Sequence, residues 1–126
     1  MSFILTNPNP KGNLTGDCVI RAICIAEGRD WDDVYLDLMA KGFMEKDMIE
    51  SNVLWSSYLH SLGYTRHIIP DTCPDCYTVS DFTRDYPVGT YILGTGSHVI
   101  CVKNGNHYDT WDSSAKVPIF YWEKER

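Results

Sequence analysis

Three residue types with one shared chemistry follow each other along the chain. A cysteine stands in Gly16-Asp17-Cys18-Val19-Ile20-Arg21-Ala22, a histidine in Ser97-His98-Val99-Ile100-Cys101-Val102, and carboxylates in Tyr108-Asp109-Thr110-Trp111-Asp112. Cys18 falls where a loop becomes an apolar helix. Unpaired N–H groups and the positive end of the helix dipole stabilise a thiolate there, lowering its pKa from the free value of about 8.5. Cys18 would then attack a carbonyl carbon as nucleophile. His98 would take the thiol proton and return it to the leaving group, and Asp109 would fix the imidazole tautomer and stabilise the imidazolium. The oxyanion formed by that attack needs donors. The backbone N–H of Cys18 is one, and Asn13 in the preceding loop is the candidate for the second.

The choice of carboxylate follows from a hairpin. Asn104-Gly105 between two β-rich runs signals a two-residue type I′ turn, which sets Lys103 opposite Asn106, Ile100 opposite Asp109 and His98 opposite Trp111. Alternation puts His98, Ile100, Asp109 and Trp111 on one face, with Asp109 diagonal to His98. Asp112 falls on the other face and is the substitute third member if the turn slips by one residue.

The elements that must position these residues segregate, with helical patterns first and strands after. The turn-rich stretch from Asn7 to Asn13 leads into Asp17, expected as N-cap of a helix over Cys18 to Glu27 that Gly28 ends. Val19, Ile20, Ala22, Ile23, Ile25 and Ala26 make that helix apolar on nearly every face, the composition of a central buried element. A second helix is expected from an Asp30 N-cap to Gly42, a third from Ile49 to Leu62, and a short fourth from Ser80 to Tyr86. Strands are expected at Tyr64 to Ile69, Thr90 to Leu93, His98 to Lys103, His107 to Trp111 and Pro118 to Trp122, with a solvated end from Glu123 to Arg126. Helices packed on a C-terminal antiparallel sheet define an α+β fold.

Bulk properties exclude several classes. With 126 residues, 44% of them hydrophobic, the expectation is a single domain over 1–126 with a sizeable core. A net charge of −6 offers no basic face for nucleic acid or anionic membranes. The start, Met1 to Pro8, shows no signal peptide and no later stretch is long enough to span a membrane, so a cytoplasmic location is expected. Without a secretory context, the odd number of cysteines favours free thiols. Cys73-Pro74-Asp75-Cys76 is half of a zinc knuckle or a dithiol motif, but its second half is missing; a plain turn is the first expectation and a metal held by Cys73 and Cys76 the weaker one. Cys24 and Cys101, in apolar runs, are expected as inert core thiols, and Arg21 as an i, i+4 ion-pair partner of Asp17. Gly94-Thr95-Gly96 leaves backbone room for a substrate beside His98.

The order of a cysteine on a buried helix, a histidine opening a strand, and an aspartate before an aromatic on the next strand resembles the papain-like cysteine peptidase superfamily. Asp17-Cys18 is similar to the Asp-Cys start of bacteriocin-leader-processing peptidases, and Asp109-Thr110-Trp111 resembles the Asn-Ser-Trp of papain. Gly16 to Ala22, Trp31, and His98-Val99 through Asp112 resemble small phage and bacterial proteins of papain-like type. The resemblance implies a papain-like fold and a cofactor-free cysteine hydrolase acting through a covalent acyl-enzyme on a peptide, isopeptide or thioester, or an acyl transferase. It departs from papain at the oxyanion donor, where Gly12 stands in place of the usual Gln and Asn13 follows it. The alternative is a non-catalytic binding or inhibitor module on the same scaffold, with a protein as partner.

Overall fold

Val99-Ile100-Cys101-Val102 is an unbroken apolar run, and a strand can bury such a run only where both faces of its sheet are covered. The computed structural model, which describes residues 2–125, provides that cover. Its elements run β1 (Phe3–Leu5), α1 (Cys18–Glu27), α2 (Trp31–Glu45), α3 (Asn52–Ser61), β2 (Tyr64–Ile68), α4 (Val79–Asp85), β3 (Thr90–Gly94), β4 (Val99–Lys103), β5 (Asn106–Asp109) and β6 (Phe120–Lys124). The strands form one sheet in the order β1-β5-β4-β3-β6-β2. On one face Ile92, Val99, Cys101, Phe120 and Trp122 share a core with Ile20 and Ile23 of α1, Val34 and Leu38 of α2, and Leu54, Trp55 and Leu59 of α3. On the other face Val79 and Phe82 of α4 cover Tyr91, Leu93, Ile100 and Val102. Each large aliphatic side chain so buried stabilises the fold by about 1.5–3 kcal/mol.

The α+β class is as expected, but the sheet is mixed and draws on both ends of the chain. β1 pairs in parallel with β5, setting Phe3 opposite His107 and Leu5 opposite Asp109. All other pairings are antiparallel. The Phe3 ring lies 5.0 Å from that of His107, and Thr6 N–H donates to the Asp109 carbonyl, so this short strand braces the end of β5. The β4–β5 hairpin has the expected register, Lys103 opposite Asn106, with φ of 51° at Asn104 and 78° at Gly105 as a type I′ turn requires.

Helix α1 has the expected limits, ending at Gly28 in the left-handed region. Helix α2 runs past Gly42 to Glu45. A Cβ at Gly42 would lie 2.7 Å from the Asp47 carbonyl oxygen, so this glycine makes room for the returning chain instead of stopping the helix. Helix α4 starts at a Thr78 and Asp81 capping box, and β6 extends to Lys124. Cys73 and Cys76 are joined as a disulfide, correcting the expectation of free thiols there; with each sulfur bonded to the other, neither is a thiolate for a metal. No group of three or more metal-ligating side chains occurs among the described residues, and none of their helices is long and apolar enough to cross a membrane. Met1, and Arg126 at the end of the expected solvated tail, lie outside the described residues.

Candidate active site

Cys18 opens α1, so its amide belongs to the first-turn N–H groups that a helix leaves unpaired. The residue before it is the N-cap by position, yet its side chain does not cap the helix. Asp17 is buried, and its carboxylate accepts from Trp31 Nε1 at 2.9 Å, Asn9 Nδ2 at 3.4 Å and Arg21 Nη1. Three donors from three parts of the chain hold it, and a carboxylate so engaged is unavailable to the helix end. The start of α1 is thereby tied to the preceding loop and to α2.

His98 sits just before β4, in a tight turn closed by Thr95 N–H donating to the His98 carbonyl at 2.9 Å. Its Nε2 lies 2.6 Å from Oδ2 of Asp109, the last residue of β5. With Nε2 committed to Asp109, Nδ1 is the ring nitrogen left for the Cys18 thiol, whose ionisation His98 and the Val99 N–H favour. Asp109 in turn accepts from Ser113 Oγ at 2.7 Å and from the Thr110 N–H at 2.8 Å. The Trp111 ring lies over His98 with centroids 5.0 Å apart.

The electrostatics favour an ion pair. Burial opposes the Cys18 thiolate, but the His98 and Val99 hydrogen bonds and the positive charges of His98 and Arg21 outweigh it, leaving the pKa below the ordinary thiol value. Burial also opposes charge on His98, yet the Asp109 and Cys18 hydrogen bonds and negative charges lift its pKa to about 9. For Asp109 burial acts upward, and the His98 and Ser113 hydrogen bonds hold it below the usual carboxyl value. All three directions describe thiolate, imidazolium and carboxylate side by side.

Cys18 and His98 line a cleft of about 520 Å³, and the buried Asp109 stands behind the histidine. One wall carries Gly16, Cys18 and Ile20, another Ile49, Glu50, Asn52 and Trp55, and the sheet side Gly94, Gly96, His98 and Phe120. Gly94 is where the backbone must stay bare, since a Cβ there would fall 2.1 Å from the Phe120 ring.

The structure thus brings Cys18, His98 and Asp109 together and places the other candidates elsewhere. Asp112 is exposed and does not line the cleft, and its Oδ1 lies 3.4 Å from His107 Nε2. Burial lowers the His107 pKa, so that ring is neutral at neutral pH. Asn13 stands apart from the cleft. It is exposed, and its carbonyl accepts from Asn7 Nδ2 at 3.1 Å. The loop is wound on its own asparagines, Asn7 Oδ1 accepting from Asn9 N–H and Asn9 Oδ1 from Lys11 N–H, and this turns Asn9 rather than Asn13 toward the helix start. Cys24 and Cys101 are buried, which pushes their thiols up to about 11 and about 12.

Sequence reasoning did not single out Ser113, Asn9, Asn52 or Trp55 for the site. Ser113 follows two acidic turn formers and reads as a loop residue; only tertiary packing aims its hydroxyl at Asp109. Asn52 Oδ1 accepts from Trp55 Nε1 at 3.0 Å, which leaves its side-chain NH₂ free to donate at the cleft edge. Compared with protein-family models, curated proteins and solved structures, the chain matches none.

Proposed function

We propose that this protein is a cysteine hydrolase of papain-like type, acting on a peptide or a small acyl substrate through a covalent acyl-enzyme. One observation carries the reading: a thiol at a helix start and a histidine line one open cleft, and the histidine's Nε2 meets a buried carboxylate at 2.6 Å. Cys18 Sγ attacks the carbonyl carbon, and the C=O electron pair moves to oxygen, facing the Cys18 N–H. On collapse the bond to the leaving group breaks, and that group takes the proton from His98 Nδ1. Water then loses a proton to His98, attacks the thioester carbon, and releases the acid with the thiolate restored. Asp109 holds the ring throughout.

The test is alkylation of each cysteine by limiting iodoacetamide, followed by peptide mass spectrometry, in wild type and His98→Ala. The expected result is selective labelling of Cys18 with an apparent pKa below that of an ordinary thiol, lost in the variant. Labelling of Cys18 no faster than that of reduced Cys73 and Cys76 would overturn catalysis and leave a binding module.

A further inference from the structure

We infer that Arg21 is the positioning residue of this site, its guanidinium clamped between Asp17 and Asp109 so that it registers the nucleophile's helix against the His98–Asp109 strands and balances their carboxylates. The inference rests on the reading of Cys18, His98 and Asp109 as the reacting groups. An arginine one turn after an aspartate on an exposed helix face makes a weak, solvated ion pair. Here Arg21 is only 7% exposed, Asp17 5% and Asp109 3%. Nη1 donates to Asp17 Oδ1 and to the Thr15 carbonyl at 3.2 Å, and Nη2 lies 3.6 Å from Asp109 Oδ1. One planar fork therefore touches the loop before the nucleophile, the residue next to the nucleophile, and the carboxylate behind the histidine. A lysine ammonium cannot span these partners in the same way.

The charge inventory explains why a cation is needed there. α1 and its N-cap bring Asp17 and the Cys18 thiolate, the turn before β4 brings the His98 imidazolium, and β5 brings Asp109. Beyond it, His107 is neutral and Asp112 exposed, and the exposed Glu50 stands on the cleft wall before α3, outside the buried set. With Arg21 the buried set carries one net negative charge, and without it two. An additional uncompensated negative charge beside a thiolate raises the thiol pKa, whereas loss of a carboxylate lowers it.

The experiment follows the pH dependence of Cys18 alkylation by iodoacetamide, with thermal unfolding measured on the same samples. Arg21→Met is expected to move the acid limb upward by about one pH unit, and Arg21→Lys, which keeps the charge but not the fork, to recover only part of that shift. Asp17→Asn, which keeps Arg21, is expected to move the limb downward. Opposite shifts are a signature that general loosening of the fold does not produce, and Asp17→Asn with Arg21→Lys decides the matter if Arg21→Met does not fold. A limb that stays put in folded Arg21→Met, or that fails to fall in Asp17→Asn, overturns the inference while the proposed function stands. A wild-type limb at the ordinary thiol value overturns both.

Discussion

Asp109 meets His98 across 2.6 Å although one closes β5 and the other precedes β4. The hairpin supplies this proximity: its type I′ turn sets a register that brings the end of β5 back beside the head of β4. The carboxylate is then fixed by Ser113 and the Thr110 amide, and β1 braces its backbone. The histidine therefore has one nitrogen engaged by Asp109 and the other left for the thiol.

That division of labour predicts different costs for two substitutions. Asp109→Asn keeps an oxygen that can accept from Nε2–H but loses the charge, so the alkaline limb of Cys18-dependent turnover, set by His98 near pH 9, should fall by about one pH unit or more. Asp109→Ala removes the acceptor as well and should lower the rate by about 10²–10⁴-fold. A pH–rate profile on an activated acyl ester checks both. Equal profiles for wild type and Asp109→Asn would sever the carboxylate from the histidine's titration.

An ion pair also predicts how stability depends on pH. His98 holds its proton more tightly folded than unfolded, so its contribution is complete below about pH 6.5 and declines as pH rises through about 9. Cys18 is the reverse: its lowered pKa contributes stability that is complete above about 8.5 and is lost as pH falls through the folded value. Between about pH 6.5 and 8.5 the falling contribution of the imidazolium and the rising contribution of the thiolate oppose each other. The thermal midpoint of wild type should change less across that interval than that of Cys18→Ser, which should lose stability over it. A parallel decline in both proteins would mean no ion pair forms.

Much of this arrangement was legible in the chain because it depends on local signals. Asn104-Gly105 announced the hairpin and its register, and Gly28 the end of α1, since both lie at positions where backbone conformation restricts the residue type. What escaped was tertiary. Phe3–Leu5 is too short to show a period, and its partner strand lies near the other end of the chain. Asn9 and Asn13 are equivalent as loop formers, and only the winding of the loop decides which faces α1. Arg21 showed its helical neighbour Asp17, whereas its reach to Asp109 exists only once α1 lies against the sheet.

Gly94 predicts the width of the cleft. A methyl at this position would lie 2.1 Å from the Phe120 ring, and both residues line the cleft, so relief requires the ring to move. Gly94→Ala should cost about 1–3 kcal/mol as overpacking, seen as a lower urea midpoint with an unchanged slope. Labelling of Cys18 by a bulky aryl reagent should slow more than labelling by iodoacetamide. Unchanged stability would place the ring's freedom outside the core.

Trp31 tests whether the Asp17 network holds the nucleophile. Its Nε1 donates to Asp17 Oδ2 at 2.9 Å while its ring stacks on Tyr35 with centroids 4.9 Å apart. Trp31→Phe keeps an aromatic ring for the stack and removes only the donor. A hydrogen bond to a charged group contributes about 1.5–3 kcal/mol, and denaturant unfolding should show a loss in that range. With one donor fewer to disperse its charge, Asp17 presents a more negative neighbour to Cys18, so the acid limb of alkylation should also move upward, by less than in Arg21→Met. Lost stability with an unmoved limb would reduce the network to a fold-stabilising role. Both effects together would tie the chemistry of Cys18 to a tryptophan on the next helix.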